Sequence, residues 1–183
     1  RKSVLGSVAL NNALKQALNP VRKNQPQKSA NGYVFSKFDR VMQTKNDYEI
    51  EWETENGYKG QGIYNGDMGV ITEIDTENKE MTILFDDDKI VHYDFLKLEN
   101  LEVSYAVTVH KSQGCEFKAV VLCISDTAKE LQYRNLLYTA ITRAKKLMIL
   151  VGSRDTIERM VANNSKAKRY SALKSFIMLG EEN

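Results

Sequence analysis

Two short runs gather reactive and charged side chains where the surrounding sequence is apolar. Residues 105 to 117 read Tyr-Ala-Val-Thr-Val-His-Lys-Ser-Gln-Gly-Cys-Glu-Phe, and residues 136 to 146 read Leu-Leu-Tyr-Thr-Ala-Ile-Thr-Arg-Ala-Lys-Lys. In the first, hydroxyls at Thr108 and Ser112, the backbone amides near Gly114 and the ammonium of Lys111 suit hydrogen bonding and charge pairing with phosphate oxygens. In the second, Arg143 offers a planar, permanently charged fork suited to phosphoryl oxygens as they gain charge. Each also has an ordinary structural reading: a turn capped by Ser112, and a solvated arginine on a helix.

The elements needed to position these groups are legible in the periodicity. Val103, Tyr105, Val107 and Val109 alternate with smaller or polar residues, which predicts a strand delivering its carboxyl end to a polar turn at His110–Gly114. Ala119 to Ile124 is an unbroken apolar run, expected as a strand covered on both faces. Leu136, Leu137, Ala140, Ile141 and Ala144 recur at helical spacing, and Leu147 to Val151 forms another apolar run. Strand, helix, strand predicts a right-handed parallel crossover, with Arg143 on the helix. Upstream, Gly6-Ser7 opens a helix that Asn19-Pro20 closes, and residues 21 to 35 read as a mobile connection. Downstream, Asp155 and Glu158 read as a capping box, with a further helical stretch after a break at 162 to 167.

Between these parts lies a segment of different character. Residues 47 to 102 hold 16 acidic and 4 basic side chains, net −12, which leaves 8 acidic and 22 basic elsewhere, net +14. Alternation at Met68–Ile74, Met81–Phe85 and Ile90–Phe95, with Arg40–Gln43 and Tyr48–Thr54, predicts about five short strands, enough for a small barrel. Turns fall at Asn65-Gly66, Asp75–Lys79 and Asp86–Lys89. Trp52 and the tyrosines either stack on bases or fill the core. The basic remainder suits a surface facing nucleic-acid phosphates, whereas net −12 argues against a large phosphate-binding face on the acidic module.

The two polar runs resemble motifs V and VI of superfamily 1 DNA helicases, most closely the RecD-like branch. Asp39-Arg-Val-Met-Gln43 and Tyr64-Asn-Gly-Asp-Met-Gly69 are similar to signatures of the inserted barrel of that branch, and Leu10 to Pro20 to the region after motif IV, of which Arg1 would be a remnant. A Pif-type helicase shares the His110–Gly114 core, but Thr139–Lys145 is closer to the RecD pattern. The resemblance implies an α/β fold: a RecA-like parallel-sheet motor domain, of the P-loop NTPase type without its phosphate loop, over residues 1–35 and 100–183. A small all-β, Src-homology-3-like barrel over 36–99 interrupts it. It further implies that Arg143 is an arginine finger, that Gln113, Gly114 and Glu116 face the nucleotide with it, and that Thr108, His110, Lys111 and Ser112 face DNA. ATP and magnesium would be shared with a first RecA-like domain. Single-stranded DNA, and in some assemblies RecB- and RecC-like subunits, would be the partners.

Composition sets outer limits. No run approaches 18 apolar residues and no apolar leader opens the chain, which begins with arginine and reads as part of a longer cytoplasmic protein. Cys115 and Cys123 match no metal spacing and suit free thiols. No Gly-x-x-x-x-Gly-Lys-Ser/Thr loop occurs, so these residues alone are expected to hydrolyse no ATP. Two other classes fit the same features: a helicase-derived nucleic-acid-binding module without catalysis, or an acidic barrel that docks a basic protein.

Overall fold

The alternating stretch between residues 40 and 103 builds a curled antiparallel sheet of seven strands in the computed structural model, which describes residues 6–126 and 129–164. Its strands are β3 (Arg40–Gln43), β4 (Asp47–Glu53), β5 (Lys59–Ile63), β6 (Met68–Asp75), β7 (Glu80–Phe85), β8 (Ile90–Asp94) and β9 (Leu101–Val103). Their spatial order is β5-β4-β8-β7-β6-β3-β9. Along β7 every second residue, Met81, Ile83 and Phe85, is buried, as period-two alternation requires. Val41, Ile71, Val91, Tyr93 and Leu98 join them in one apolar core. Gly69 is fixed by close approach: a Cβ there would lie 2.7 Å from the Leu84 carbonyl oxygen of the paired strand. The expected turns form, with Asp75 accepting from the backbone amides of Glu77 and Asn78, both at 2.9 Å, and Gly66 in the left-handed region at φ 99°.

The sheet, its last strand and the hairpin each depart from expectation. About five strands become seven, because the Gly-rich stretch at 59–63 pairs with β4 and because Leu101–Val103 adds to the free edge of β3. The strand foreseen through Val109 stops at Val103: the Ser104 amide makes a last bond to the Arg40 carbonyl at 2.8 Å and the backbone then leaves the sheet. Residues 21–35 are only partly a connection, since β1 (Gln27–Ala30) and β2 (Tyr33–Ser36) form an antiparallel hairpin whose Phe35 enters the core.

Ahead of the hairpin, α1 spans Ser7–Leu18 and closes at Asn19, as the sequence predicts. The α/β part contributes β10 (Phe117–Cys123), α2 (Arg134–Ile141), β11 (Ala144–Val151) and α3 (Arg154–Ala162), with β10 and β11 parallel. Leu137 of α2 and Met160 of α3 pack with Ile124 and Leu122 beside this pair. Several other apolar side chains of the strands stay open among the described residues: Val121 is 60% exposed and Leu147 51%. A parallel pair is normally one portion of a wider sheet, and among the described residues this sheet has two strands. Helix α2 ends at Ile141, with Thr142 as its C-cap, so Arg143 sits on the short link into β11 rather than on the helix. Ser153, not Asp155, caps α3, accepting from the Thr156 amide at 3.2 Å and leaving Asp155 in the first turn. Arg1 and most of the stretch after 162 lie outside the described residues.

Candidate functional site

The polar turn is a nested set of backbone bonds that turns some side chains inward and leaves others free. Ser112 N donates to the Thr108 carbonyl at 3.1 Å, Gln113 N to His110 at 3.3 Å, and Cys115 N to Ser112 at 3.1 Å. Gly114 takes φ 88°, which a glycine adopts without the Cβ clash of other residues. Thr108 Oγ1 accepts from the Lys111 amide at 3.3 Å and remains exposed, as do His110, Gln113, Gly114 and Glu116. Ser112 is different: it is buried, and its Oγ donates to the Val109 carbonyl at 2.9 Å, so this hydroxyl staples the turn. Lys111 is drawn back onto Glu102 of β9.

Arg143 and this turn form one body. Its Nη1 donates to the Cys115 carbonyl at 3.1 Å, its Nε to the Thr139 carbonyl at 3.1 Å and its Nη2 to Thr142 Oγ1 at 3.3 Å. The Arg143 carbonyl in turn accepts from the Phe117 amide at 2.8 Å where β10 begins. The guanidinium is half-buried between the two polar runs, which are 28 residues apart in sequence where they meet. One residue on, Glu116 pairs with Lys145 at 2.8 Å, and that hydrogen bond and charge hold its carboxyl below the usual range. Burial pushes the Cys115 thiol up despite the neighbouring Arg143, and Asp67 and Asp86 add to the rise. Those two acids lie in the turns beside β6 and β7, so the barrel reaches the junction of the two runs; the Gly66 carbonyl lies 3.8 Å from Cys115 Sγ.

The supports of the turn are residues that periodicity does not reveal. Asn11 of α1 is buried and makes two 2.8 Å bonds to the backbone of Ala106, donating to its carbonyl and accepting from its amide. A side-chain amide here does what a neighbouring strand would have done, which is why the chain can leave the sheet at Ser104. One residue earlier, the Tyr105 hydroxyl donates to Asp39 Oδ1 at 3.0 Å. Asp39 is fully buried and also receives Asn19 Nδ2 at 2.8 Å, the Ser36 amide at 2.8 Å and the Lys15 ammonium. Four donors from three segments satisfy the carboxylate, as a buried charge requires. Burial, followed by the charge of Asp39, pushes Tyr105 up to about 12. The sequence marked Asp39 as part of the Asp39–Gln43 run that resembles a signature of the inserted barrel, but gave no sign of its donors. Among the described residues no cluster of three or more His, Cys, Asp or Glu is placed to hold a metal ion.

Two family models match separate stretches of the chain. Residues 10–85 match a family model described as the ATP-dependent RecD-like DNA helicase SH3 domain, and residues 103–151 match the UvrD-like helicase C-terminal domain. The chain is 33% identical over 135 residues to the ATP-dependent RecD2 DNA helicase of Deinococcus radiodurans, covering 74% of this chain and 17% of that protein. It is 33% identical over 121 residues to the RecBCD enzyme subunit RecD of Mycobacterium tuberculosis, covering 66% of this chain and 20% of that one. It therefore spans about a fifth or less of these relatives. Among solved structures, the crystal structure of Pif1 helicase from Bacteroides in complex with ADP-AlF3 and ssDNA superposes with a TM-score of 0.53 at 19% identity, over 96% of this chain and 43% of that one. That likeness is one of fold.

Proposed function

Since this chain belongs to the RecD-like branch of superfamily 1 DNA helicases, we propose that it is the second motor domain, with its inserted barrel, of an enzyme that couples ATP hydrolysis to travel along single-stranded DNA and duplex unwinding. The division into motor (1–35 and 100–183) and barrel (36–99) belongs to this proposal, as does work in recombination or repair in the cytoplasm. No helix among the described residues is long and apolar enough to cross a membrane. The observation that carries the reading is the bond from Arg143 Nη1 to the Cys115 carbonyl, which ties the candidate finger to the candidate DNA turn. A change of position at either one is felt at the other.

The residues fit a triphosphate at this junction. Arg143 is partly solvent-accessible on a link rather than locked in a helix, and Gln113, Gly114 and Glu116 are exposed beside it. Bound ATP supplies the phosphoryl group whose transfer to water drives the cycle. Arg143 would then exchange carbonyl acceptors for phosphoryl oxygens, and Glu116 would face the nucleotide sugar. Magnesium ligands and the catalytic carboxylate would come from a first RecA-like domain. Thr108, His110 and Lys111 would meet the DNA backbone on the outer side of the turn, with Ser112 holding its shape from within. RecB- and RecC-like subunits are the partners to test if the protein works in a complex.

Arg143→Lys in the full-length protein tests this. Single-turnover hydrolysis should fall by roughly 10³-fold or more, because a flexible ammonium cannot reproduce the fork, while nucleotide affinity falls far less. Near-normal hydrolysis at an unchanged melting temperature would remove Arg143 from the chemistry.

A further inference from the structure

Phe38 occupies a backbone conformation that its side chain resists. It lies at φ 72°, in the left-handed region where a bulky residue is an outlier. The strain is held from several sides: its own amide donates to the Ile71 carbonyl at 2.7 Å, and Asp39 N closes the turn onto the Ser36 carbonyl at 3.1 Å. The buried Asp39 carboxylate, with its four donors, locks the next position. Burial does not explain the phenylalanine, which is 59% exposed and belongs to neither core cluster. Glycine would fit the turn at no steric cost. Strain retained at an exposed aromatic ring points to a use for the ring.

The surroundings indicate which ligand. From residue 15 to residue 40 the chain carries six basic side chains and one acid, Asp39, which is buried and paired. Lys37 Nζ stands 5.3 Å from the Phe38 ring centroid. The connection bearing Arg22 and Lys23 is pinned to the same turn, with Asn19 Nδ2 and Gln25 Nε2 donating to the Lys37 carbonyl at 2.9 and 3.2 Å. A rigidly displayed aromatic face flanked by exposed cations suits an unpaired base with its phosphodiester. We propose that Phe38 is a stacking platform for a base of single-stranded nucleic acid, seated at the base of the barrel on its basic side. Through Asp39 and Tyr105 it is braced against the segment that leads to the Thr108 turn, so platform and turn hold fixed positions along one strand. The proposal rests on the strand-binding part of the function given above.

The test compares the full-length protein with its Phe38→Gly, Phe38→Leu and Phe38→Trp variants, measuring melting temperature and binding to an oligothymidylate and to an abasic oligonucleotide of equal length. Phe38→Gly relieves the backbone and should melt at or a few degrees above the parent temperature. Its affinity for oligothymidylate should nevertheless fall on the order of tenfold, as should that of Phe38→Leu, while Phe38→Trp retains it. Affinity for the abasic strand should be equal in all four. Oligothymidylate affinity within about twofold of the parent in both Phe38→Gly and Phe38→Leu overturns the platform and leaves strand binding intact. A parent protein that binds neither oligonucleotide overturns both.

Discussion

At the scale of single residues, the chemistry-bearing groups depend on partners that do no chemistry. Tyr105 is the clearest case, because its hydroxyl joins the buried Asp39 to the segment carrying Thr108. Its pKa is raised to about 12 by burial and by Asp39, and Tyr93, sealed in the barrel core, is raised further, again chiefly by burial. The sign follows from proton counting. Between pH 10 and 12 the unfolded chain loses these protons first, so the folded state holds more of them and stability falls as pH rises. The contribution is present in full below pH 10. Tyr105→Phe should therefore flatten part of the alkaline fall, by about 1 kcal/mol after allowance for solvent screening of this half-buried ring. Urea titrations of both proteins from pH 8 to about 11.5 read this directly; parallel curves would mean that Tyr105 keeps an ordinary pKa.

At the scale of elements, the turn after Val103 is tied by an ion pair to the strand before it. Lys111 is paired with Glu102 of β9, so a DNA phosphate approaching Lys111 has to displace a carboxylate. Two substitutions should then act in opposite directions. Glu102→Gln frees the ammonium and should tighten single-strand binding a few-fold at low salt, an effect that fades as ionic strength rises. Lys111→Ala with Thr108→Ala should weaken binding and reduce the logarithmic salt slope by roughly 0.7 for each phosphate that is no longer neutralised. Fluorescence anisotropy across a salt series separates the two, and identical slopes in all three proteins would place the DNA elsewhere. The exposed apolar faces of β10 and β11 belong to this scale too. Val121 and Leu147 are written for a wider sheet than the two strands described here.

For the molecule as a whole, the acidic barrel and the basic remainder are separate in charge but not in structure. β9 closes the acidic segment and pairs with β3, Lys15 of α1 neutralises Asp39, and the Gly66 turn meets Cys115. Excising residues 36–99 from the full-length protein should therefore not leave a folded remainder. It unpairs β9, strands Lys15 and Tyr105 without their carboxylate, and removes the core against which Phe35 is packed. The expected product aggregates or lacks a cooperative melting transition. A deletion variant that melts cooperatively within a few degrees of the parent and still hydrolyses ATP would show the barrel to be an appendage, and would favour the reading of it as a docking module.

Whatever depends on local spacing is legible in the residue order. Period-two alternation placed β6, β7 and β8, two further strand-like runs placed β3 and β4, turn residues placed loops between them, and helical spacing placed α1 and α2. The runs at 105–117 and 136–146 marked the candidate site because polar groups interrupted apolar periods. Tertiary structure decided what depends on which distant backbone happened to be free. The strand expected through Val109 ended at Val103 because β3 offered an edge only that long, and Asn11 took over the backbone of Ala106 from 95 residues away. Arg143 left its helix because α2 terminates at Ile141, and its guanidinium then found the Cys115 carbonyl. Asp39 became the hub because three segments brought it donors, and a one-dimensional pattern records no such convergence. Periodicity states which face of an element is apolar; the partner of a buried polar group is fixed only when the chain closes around it.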